Sequence, residues 1–272
     1  MRVERLGDKH RRAAVAFLER KPYENVFLIH ASLYASPAIR TSLHVALDDV
    51  GEIAGVAFFG RQVVPAANDD ALKAFVDLGV THKRERMIVG PLEQVAHYWE
   101  LVGPRHTKPS AIRQRQPLLA VTPGSLRGEN NMVHVRLARA GDCDEITGNA
   151  AQMIEGELGY DPRDRSPGDF EAGVAQMIER ELWWVGEDAA GLCFQLNVGP
   201  YSDQTTQLQG IFTSPTRRGH GLATASLAGI CRRLLEESPS LSLFVNDFNT
   251  AALQLYGRTG FEEVGAFRSI LF

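Results

Sequence analysis

Cysteine is scarce in this chain: Cys143, Cys193 and Cys231 stand far apart, with no Cys-x-x-Cys pair. That excludes a disulfide framework and offers no zinc-ligand spacing, so no metal is expected and the thiols read as reduced and mostly buried. Long apolar runs are also missing. Nothing approaches the roughly 20 continuous apolar residues that an α-helix needs to span a bilayer. The opening residues Met1-Arg2-Val3-Glu4-Arg5 lead into a charged, amphipathic helix and not into a signal-peptide core. Cytoplasmic residence without a membrane partner is the expectation. Aromatics make up only 8% of the chain, and too few interleave with the basic cluster His82-Lys83-Arg84, Arg86, Arg105-His106, Lys108, Arg113 and Arg115 to form a nucleic-acid surface. No nucleic acid is expected, and the cluster reads as a solvated face.

What is present suits a globular enzyme. Apolar residues at 44% and charged residues at 23% supply a core, and 272 residues exceed one domain of typical size, so two domains are expected. The clearest boundary is the run of turn formers Thr122-Pro123-Gly124-Ser125 to Asn130-Asn131. It gives an N-terminal domain over 1–122, a linker over 123–131 and a C-terminal domain over 132–272. Charge divides the same way, with 17 Lys+Arg against 13 Asp+Glu up to Thr122 and 12 against 20 beyond it. An acidic C-terminal half would draw in a cationic amine, although solubility alone accounts for it equally well.

In that half Val133-His134-Val135-Arg136-Leu137 alternates as a strand. Ala140 to Gly156 and Pro167 to Arg180 carry helical periodicity, the second with Phe170, Val174, Met177 and Ile178 on one face. Glu181 to Gly186, Ala190 to Val198 and Thr205 to Phe212 read as three strands, and Trp183-Trp184 should place one ring on each sheet face. Gly210-Ile211-Phe212-Thr213-Ser214-Pro215-Thr216-Arg217-Arg218-Gly219-His220-Gly221-Leu222-Ala223 then runs from strand through a glycine turn into a helix. Glycines let a ligand approach the main chain, and the first N–H groups of a helix have no intrahelical partner, so this order builds an anion cradle. The helix that follows has a stripe of Leu222, Leu227, Ile230, Cys231, Leu234 and Leu235. Gly210, inside a strand, marks a bulge.

About 25 residues further on, Val245, Asn249, Ala252, Tyr256, Gly260 and Phe261 complete a second motif. The two together resemble the GNAT family, the Gcn5-related N-acetyltransferases. The resemblance implies an α/β (α+β) fold class, with tandem GNAT-like folds, each a mixed, mostly antiparallel twisted sheet flanked by helices. The element order expected for the C-terminal half is β-α-α-β-β-β-α-β-α-β-β. Residues 1–122 resemble the degenerate N-terminal domain of two-domain bacterial acetyltransferases. There a first strand at Val3 to Leu6, a helix at Arg11 to Glu19, a hairpin at Leu43 to Asp48 and Ile53 to Arg61, and a helix at Ala71 to Leu78 precede Met87-Ile88-Val89 and a helix at Leu92 to Val102. The expected order is β-α-α-β-β-α-β-α, without a glycine turn and without acetyl-CoA.

The resemblance also implies acetyl-CoA as co-substrate and assigns roles residue by residue. Its pyrophosphate would sit on the turn at Arg217, Arg218, Gly219, His220 and Gly221, continuing onto Leu222 and Ala223. Thr216 stands where the family has Arg or Gln. The main chain at Ile211, Phe212 and Thr213 would meet the pantetheine arm and supply an oxyanion donor. Asn249 and Ala252 would contact the cofactor, whereas Asn246 and Asp247 would cap the following helix. Tyr256 would be the general acid toward the CoA thiolate. His220 has no catalytic part. The base is sought in Met153-Ile154-Glu155-Gly156-Glu157, at Glu155 or Glu157. The acceptor is a small-molecule amine or a protein lysine or N-terminal amine, on a monomer or homodimer. Two other readings stay open: another acyl-CoA N-acyltransferase of tandem type, similar to glycine N-acyltransferase or mycothiol synthase, and a non-catalytic acetyl-CoA sensor. The last strand, Arg268 to Phe272, should close the sheet, so its truncation should be damaging.

Overall fold

A computed structural model describes residues 1–82, 85–129, 131–164 and 166–272. Lys83 and Arg84 of the basic cluster and Asn130 of the linker therefore lie outside the described residues. The N-terminal half runs β1 (Arg2–Arg5), α1 (Asp8–Leu18), α2 (Pro22–Tyr34), α3 (Pro37–Arg40), β2 (Leu43–Leu47), β3 (Ile53–Phe59), β4 (Gln62–Ala67), α4 (Asp69–Ala74), α5 (Val76–Thr81), β5 (Met87–Pro91), α6 (Leu92–Val102) and β6 (Ala111–Val121). The C-terminal half runs β7 (His134–Leu137), α7 (Cys143–Leu158), α8 (Pro167–Glu179), β8 (Trp183–Asp188), β9 (Gly191–Tyr201), β10 (Thr206–Thr213), α9 (Leu222–Leu234), β11 (Leu241–Phe244), α10 (Thr250–Arg258) and β12 (Glu262–Leu271). This is the mixed, mostly antiparallel sheet flanked by helices that the sequence led us to expect.

The strands form one twelve-stranded sheet in the order β1-β2-β3-β4-β5-β12-β6-β11-β10-β9-β8-β7. Its centre is an exchange. β12, the last strand of the chain, pairs antiparallel with β5 on one side and β6 on the other. β6, which precedes the linker, pairs antiparallel with β11 of the C-terminal half. The expected pair of strands after α10 is thus corrected to a single strand, because β6 takes the place of the second. A ten-residue β12 with two neighbours satisfies backbone groups along both of its edges, which a strand at the end of a sheet leaves open. The buried cores follow the exchange: Leu118 of β6 and Phe267 of β12 pack with Leu28, Val45, Val56 and Val89 of the N-terminal half.

Local chemistry accounts for the other elements. Trp183 is buried against Ile146, Val174 and Ile178, while its neighbour Trp184 packs into the opposite core with Leu196 and Leu227, so the two rings do take opposite faces. Of the stripe on α9, Leu222, Leu227, Ile230 and Cys231 are buried in that second core, and Leu234 and Leu235 pack half-buried against it. Arg136 ties β7 to its surroundings by donating to Asp142 Oδ2 at 2.7 Å and to Glu187 Oε2 at 2.7 Å. Cys193 and Cys231 are buried and free, and burial pushes both thiols upward, which keeps them protonated and unreactive. The basic cluster is not uniformly solvated. His106 is half-buried and meets the Glu85 carboxylate at 2.5 Å, whereas Arg115 is exposed and pairs with Glu263 in solvent. No helix among the described residues is long and apolar enough to cross a membrane.

Gly260 pins the linker to the C-terminal half. Its φ is +87°, and a Cβ built there would lie 1.9 Å from Ser125 O; beside it Arg127 N donates to Thr259 O at 3.1 Å. A left-handed non-glycine residue costs about 1–2 kcal/mol, and the clash is with backbone that has no flexible end to give way. Gly260→Ala should therefore lower stability by about 2 kcal/mol or more, read as a lower urea midpoint with an unchanged m-value. An unshifted midpoint would contradict this account of the turn.

Candidate active site

The site begins where two strands part. β10 and β11 pair in parallel only at Thr206 with Leu241 and at Gln207 with Ser242. On its other side β10 is bulged: Gln209 faces Asn197 and Phe212 faces Gln195, so Gly210 and Ile211 together stand opposite Leu196. Gly210 has φ +61°, and a Cβ there would meet Asn197 Oδ1 at 2.3 Å, so the bulge requires glycine. The ladder leaves residues 209–213 of β10 and 243–245 unpaired with each other, and a cavity of ≈ 840 Å³ opens at that split.

One end of the cavity is the glycine turn. Gly219 (φ +82°) and Gly221 (φ +78°) are left-handed, and a Cβ on Gly219 would have nothing within 4 Å. Gly221 is the N-cap of α9 and brings no side-chain cap; the first bond back into the turn is Ala225 N to Gly221 O at 3.1 Å. The N–H groups of Leu222, Ala223 and Thr224 are consequently free donors at the positive end of a thirteen-residue helix. The two arginines are tied to neighbouring strands. Arg217 pairs with Asp188 at the end of β8, while Arg218 donates Nε to Thr213 O at 3.1 Å and lies over the Phe212 ring. A cradle that is open, uncapped and flanked by guanidinium charge fits a pyrophosphate.

The other end is built by three elements. Tyr256 on α10 lines the cavity and is buried. Burial, followed by the charge of Glu157, pushes its hydroxyl above the ordinary tyrosine value, so it is a proton carrier throughout the neutral range. Glu157 lies in the last turn of α7 and borders the same cavity. The residue as a whole is exposed, yet the loss of water around its carboxyl raises that group above the usual carboxylate value, and the nearby Arg113 guanidinium partly opposes this. Of the residues named from sequence, Ile211, Phe212, Thr213, Arg217, Arg218, Gly219, Gly221, Leu222, Ala223, Asn249, Ala252, Tyr256 and Glu157 line the cavity; Glu155 and His220 do not.

Two assignments near α10 change. Asn249 is the helix cap, its Oδ1 accepting from Ala252 N at 3.2 Å, a place the sequence reading gave to Asn246 and Asp247. Asn246 instead accepts from Gln116 Nε2 at 3.0 Å. Asn249 has the β-to-helix position and the N2–N3 reach that a cap needs, which Asn246, three residues earlier, lacks. Gln116 went unrecognised in the sequence. It is buried on β6, lines the cavity, and its Oε1 accepts from Ser269 Oγ at 2.6 Å. Its signal was a polar residue inside a strand that the sequence reading did not identify.

A sheet split around a bulge, with an uncapped glycine turn opening the next helix, is the architecture of the GNAT acetyltransferases. Residues 157–261 match the acetyltransferase (GNAT) family, and residues 43–146 match a domain of unknown function, DUF4081. Solved structures with the same fold include an acetyltransferase of the GNAT family from Colwellia psychrerythraea (TM-score 0.63, 10% identity, 100% of both chains covered). A GCN5-related N-acetyltransferase from Sphaerobacter thermophilus has a TM-score of 0.64 at 13% identity, covering 99% of this chain and 94% of that one. A tandem GNAT protein from the clavulanic acid biosynthesis pathway has a TM-score of 0.58 at 10% identity, covering 98% of each chain. No curated protein matches. The family is one of acyltransferases that generally bind acetyl-CoA.

Proposed function

We propose that this chain is an acetyl-CoA-dependent N-acetyltransferase that acetylates a primary amine by direct attack. The observation that carries the reading is the sharing of one cavity by the uncapped glycine turn, the bulged β10 and the buried Tyr256 hydroxyl. Acetyl-CoA, when bound, supplies an acetyl thioester whose sulfur leaves. The N–H groups of Leu222, Ala223 and Thr224 hold its pyrophosphate. The main chain of residues 211–213 aligns its arm and presents an oxyanion donor. Glu157 takes a proton from the amine, and Tyr256 Oη gives one to the leaving sulfur. The catalytic unit is 132–272, completed across the sheet by β6 from the region before the linker.

The N-terminal half is assigned no acetyl-CoA of its own. Its helix α4, after β4, is capped by Asn68, whose Oδ1 accepts from Ala71 N at 2.9 Å, and Ala67 N donates to Gln94 Oε1 at 2.8 Å. The third of the donors left free at α9 is taken here by Asn68, and Asp69 and Asp70 set negative charge in the first turn of α4, which supports one cofactor per chain.

Tyr256→Phe tests the acid. Turnover should fall by about 10²-fold while acetyl-CoA affinity is kept, since loss of one general acid is typically worth about 10²–10⁴. Unchanged turnover would remove Tyr256 from the mechanism. The base is tested by pH. Glu157 accepts a proton only when ionised, and its value is raised, so the rate should fall as pH drops through that raised value. Glu157→Gln should be slow and lack this acid limb, whereas Glu155→Gln, outside the cavity, should keep it. The reverse pattern would move the role to Glu155.

A further inference from the structure

Arg113 lies beside Glu157, at the edge of the cavity that Glu157 lines, without the partner such a charge usually has. It comes from β6, and its Nη2 donates to Glu157 O at 2.7 Å, in the last turn of α7. Its guanidinium lies over the Phe248 ring, 4.9 Å from the centroid, and Phe248 is 62% exposed in the loop between β11 and α10. One arginine therefore joins three elements beside Glu157. Among the described residues no carboxylate lies within 4.0 Å of it. Glu157 is close enough for the two charges to be felt, yet the pair does not close. A guanidinium and a carboxylate side by side at the edge of a cavity, with no closed pair between them, offer a zwitterion a partner for each of its charges.

We propose that Arg113 is a specificity-determining residue that binds the carboxylate of an amino-carboxylic acid acceptor while Glu157 faces its amine. This rests on the reading of the cavity as an acetyl-transfer site. A guanidinium that only capped α7 would hold the helix end but would not distinguish one amine from another.

The experiment compares kcat/KM on matched probes: glycine with methylamine, L-phenylalanine with 2-phenylethylamine, and L-lysine with cadaverine, with acetyl-CoA as donor. The wild type should favour the carboxylated member of at least one pair by about tenfold or more, the scale of one charge-assisted contact. Arg113→Met should bring that ratio to about one through KM for the amine, with KM for acetyl-CoA unchanged. Arg113→Lys, which keeps the charge but not the fork, should retain part of the preference and serves if Arg113→Met does not fold. Arg115→Met, on the same strand and paired with Glu263, should retain all of it. A wild type that prefers the decarboxylated amines, or a preference that survives in both Arg113 variants, overturns the assignment. Turnover with none of the probes also overturns it, and acetyl-CoA binding by calorimetry then shows whether the acetyltransferase reading stands without it.

Discussion

A chain ended after Phe261 should not fold. The residues removed carry β12, which is not an edge strand but the sixth of twelve, hydrogen-bonded to β5 and to β6. Its loss separates the sheet into two pieces and uncovers both neighbours. Phe267 and Ile270 are 6% and 0% exposed, and burying such side chains is worth about 1.5–3 kcal/mol each. The ladders on two sides and the Ser269 bond to Gln116 go with them. Against a total stability of about 5–15 kcal/mol for a native protein, this loss exceeds the margin. The exposed edges of β5 and β6, with Ile88, Val89, Leu118 and Leu119 beside them, are then templates for aggregation. Circular dichroism and size-exclusion chromatography of the truncated chain should show no cooperative melting and a shift to aggregates. A monomer that melts cooperatively near the wild-type temperature would mean that the exchange of strands is dispensable.

That exchange is also what the sequence concealed. Residues 132–261 followed their local patterns: alternation at 134–137, a one-sided stripe on α9, glycines at a turn that needs left-handed backbone, and Gly210 at a bulge. Each signal is short in range, so each was legible. The central strands depend on partners that are distant in sequence. β6 reads Ala111-Ile112-Arg113-Gln114-Arg115-Gln116-Pro117, then an apolar run; its arginines read as a solvated face, and Pro117 has no N–H to give a ladder. Gln116 in its polar half lines the cavity and Arg113 reaches the end of α7, while its apolar half lies in the core, which explains the abrupt change of character. β4 was missed for a similar reason, since Pro65 interrupts Val63-Val64 and Ala66-Ala67, although Pro65 sits in register opposite Ala57. The glycine turn was therefore readable from one stretch of chain, whereas Gln116, which lines the cavity, and Arg113, which reaches Glu157, were not. Their place in the site exists only once β6 has crossed to β11.

Gly221→Glu should abolish acetyl-CoA binding while leaving the fold intact. Two effects act together at this position. The backbone at φ +78° is left-handed, where a side chain costs about 1–2 kcal/mol, and relief of that strain would turn the N–H groups of Leu222, Ala223 and Thr224 out of alignment. A carboxylate at the N-cap would also accept those same N–H groups itself and set a negative charge against the pyrophosphate. Space is not the obstacle, since a Cβ there would meet only Met132 Sδ at 3.8 Å, so the variant should fold and its melting temperature should drop by only a few degrees. Affinity should fall by more than about 10³-fold, because displacement of the cradle and repulsion each remove several kcal/mol of a charge-assisted contact set. Calorimetry of wild type beside the variant, with CoA as a second ligand, reads this directly. One site per chain in the wild type and none in the variant places the cofactor on α9 and leaves the capped helix α4 without one. Binding that survives the substitution would move the cofactor away from this turn. The N–H groups of α9 would then have no part in holding the cofactor, and the split between β10 and β11 would need a different anchor beside it.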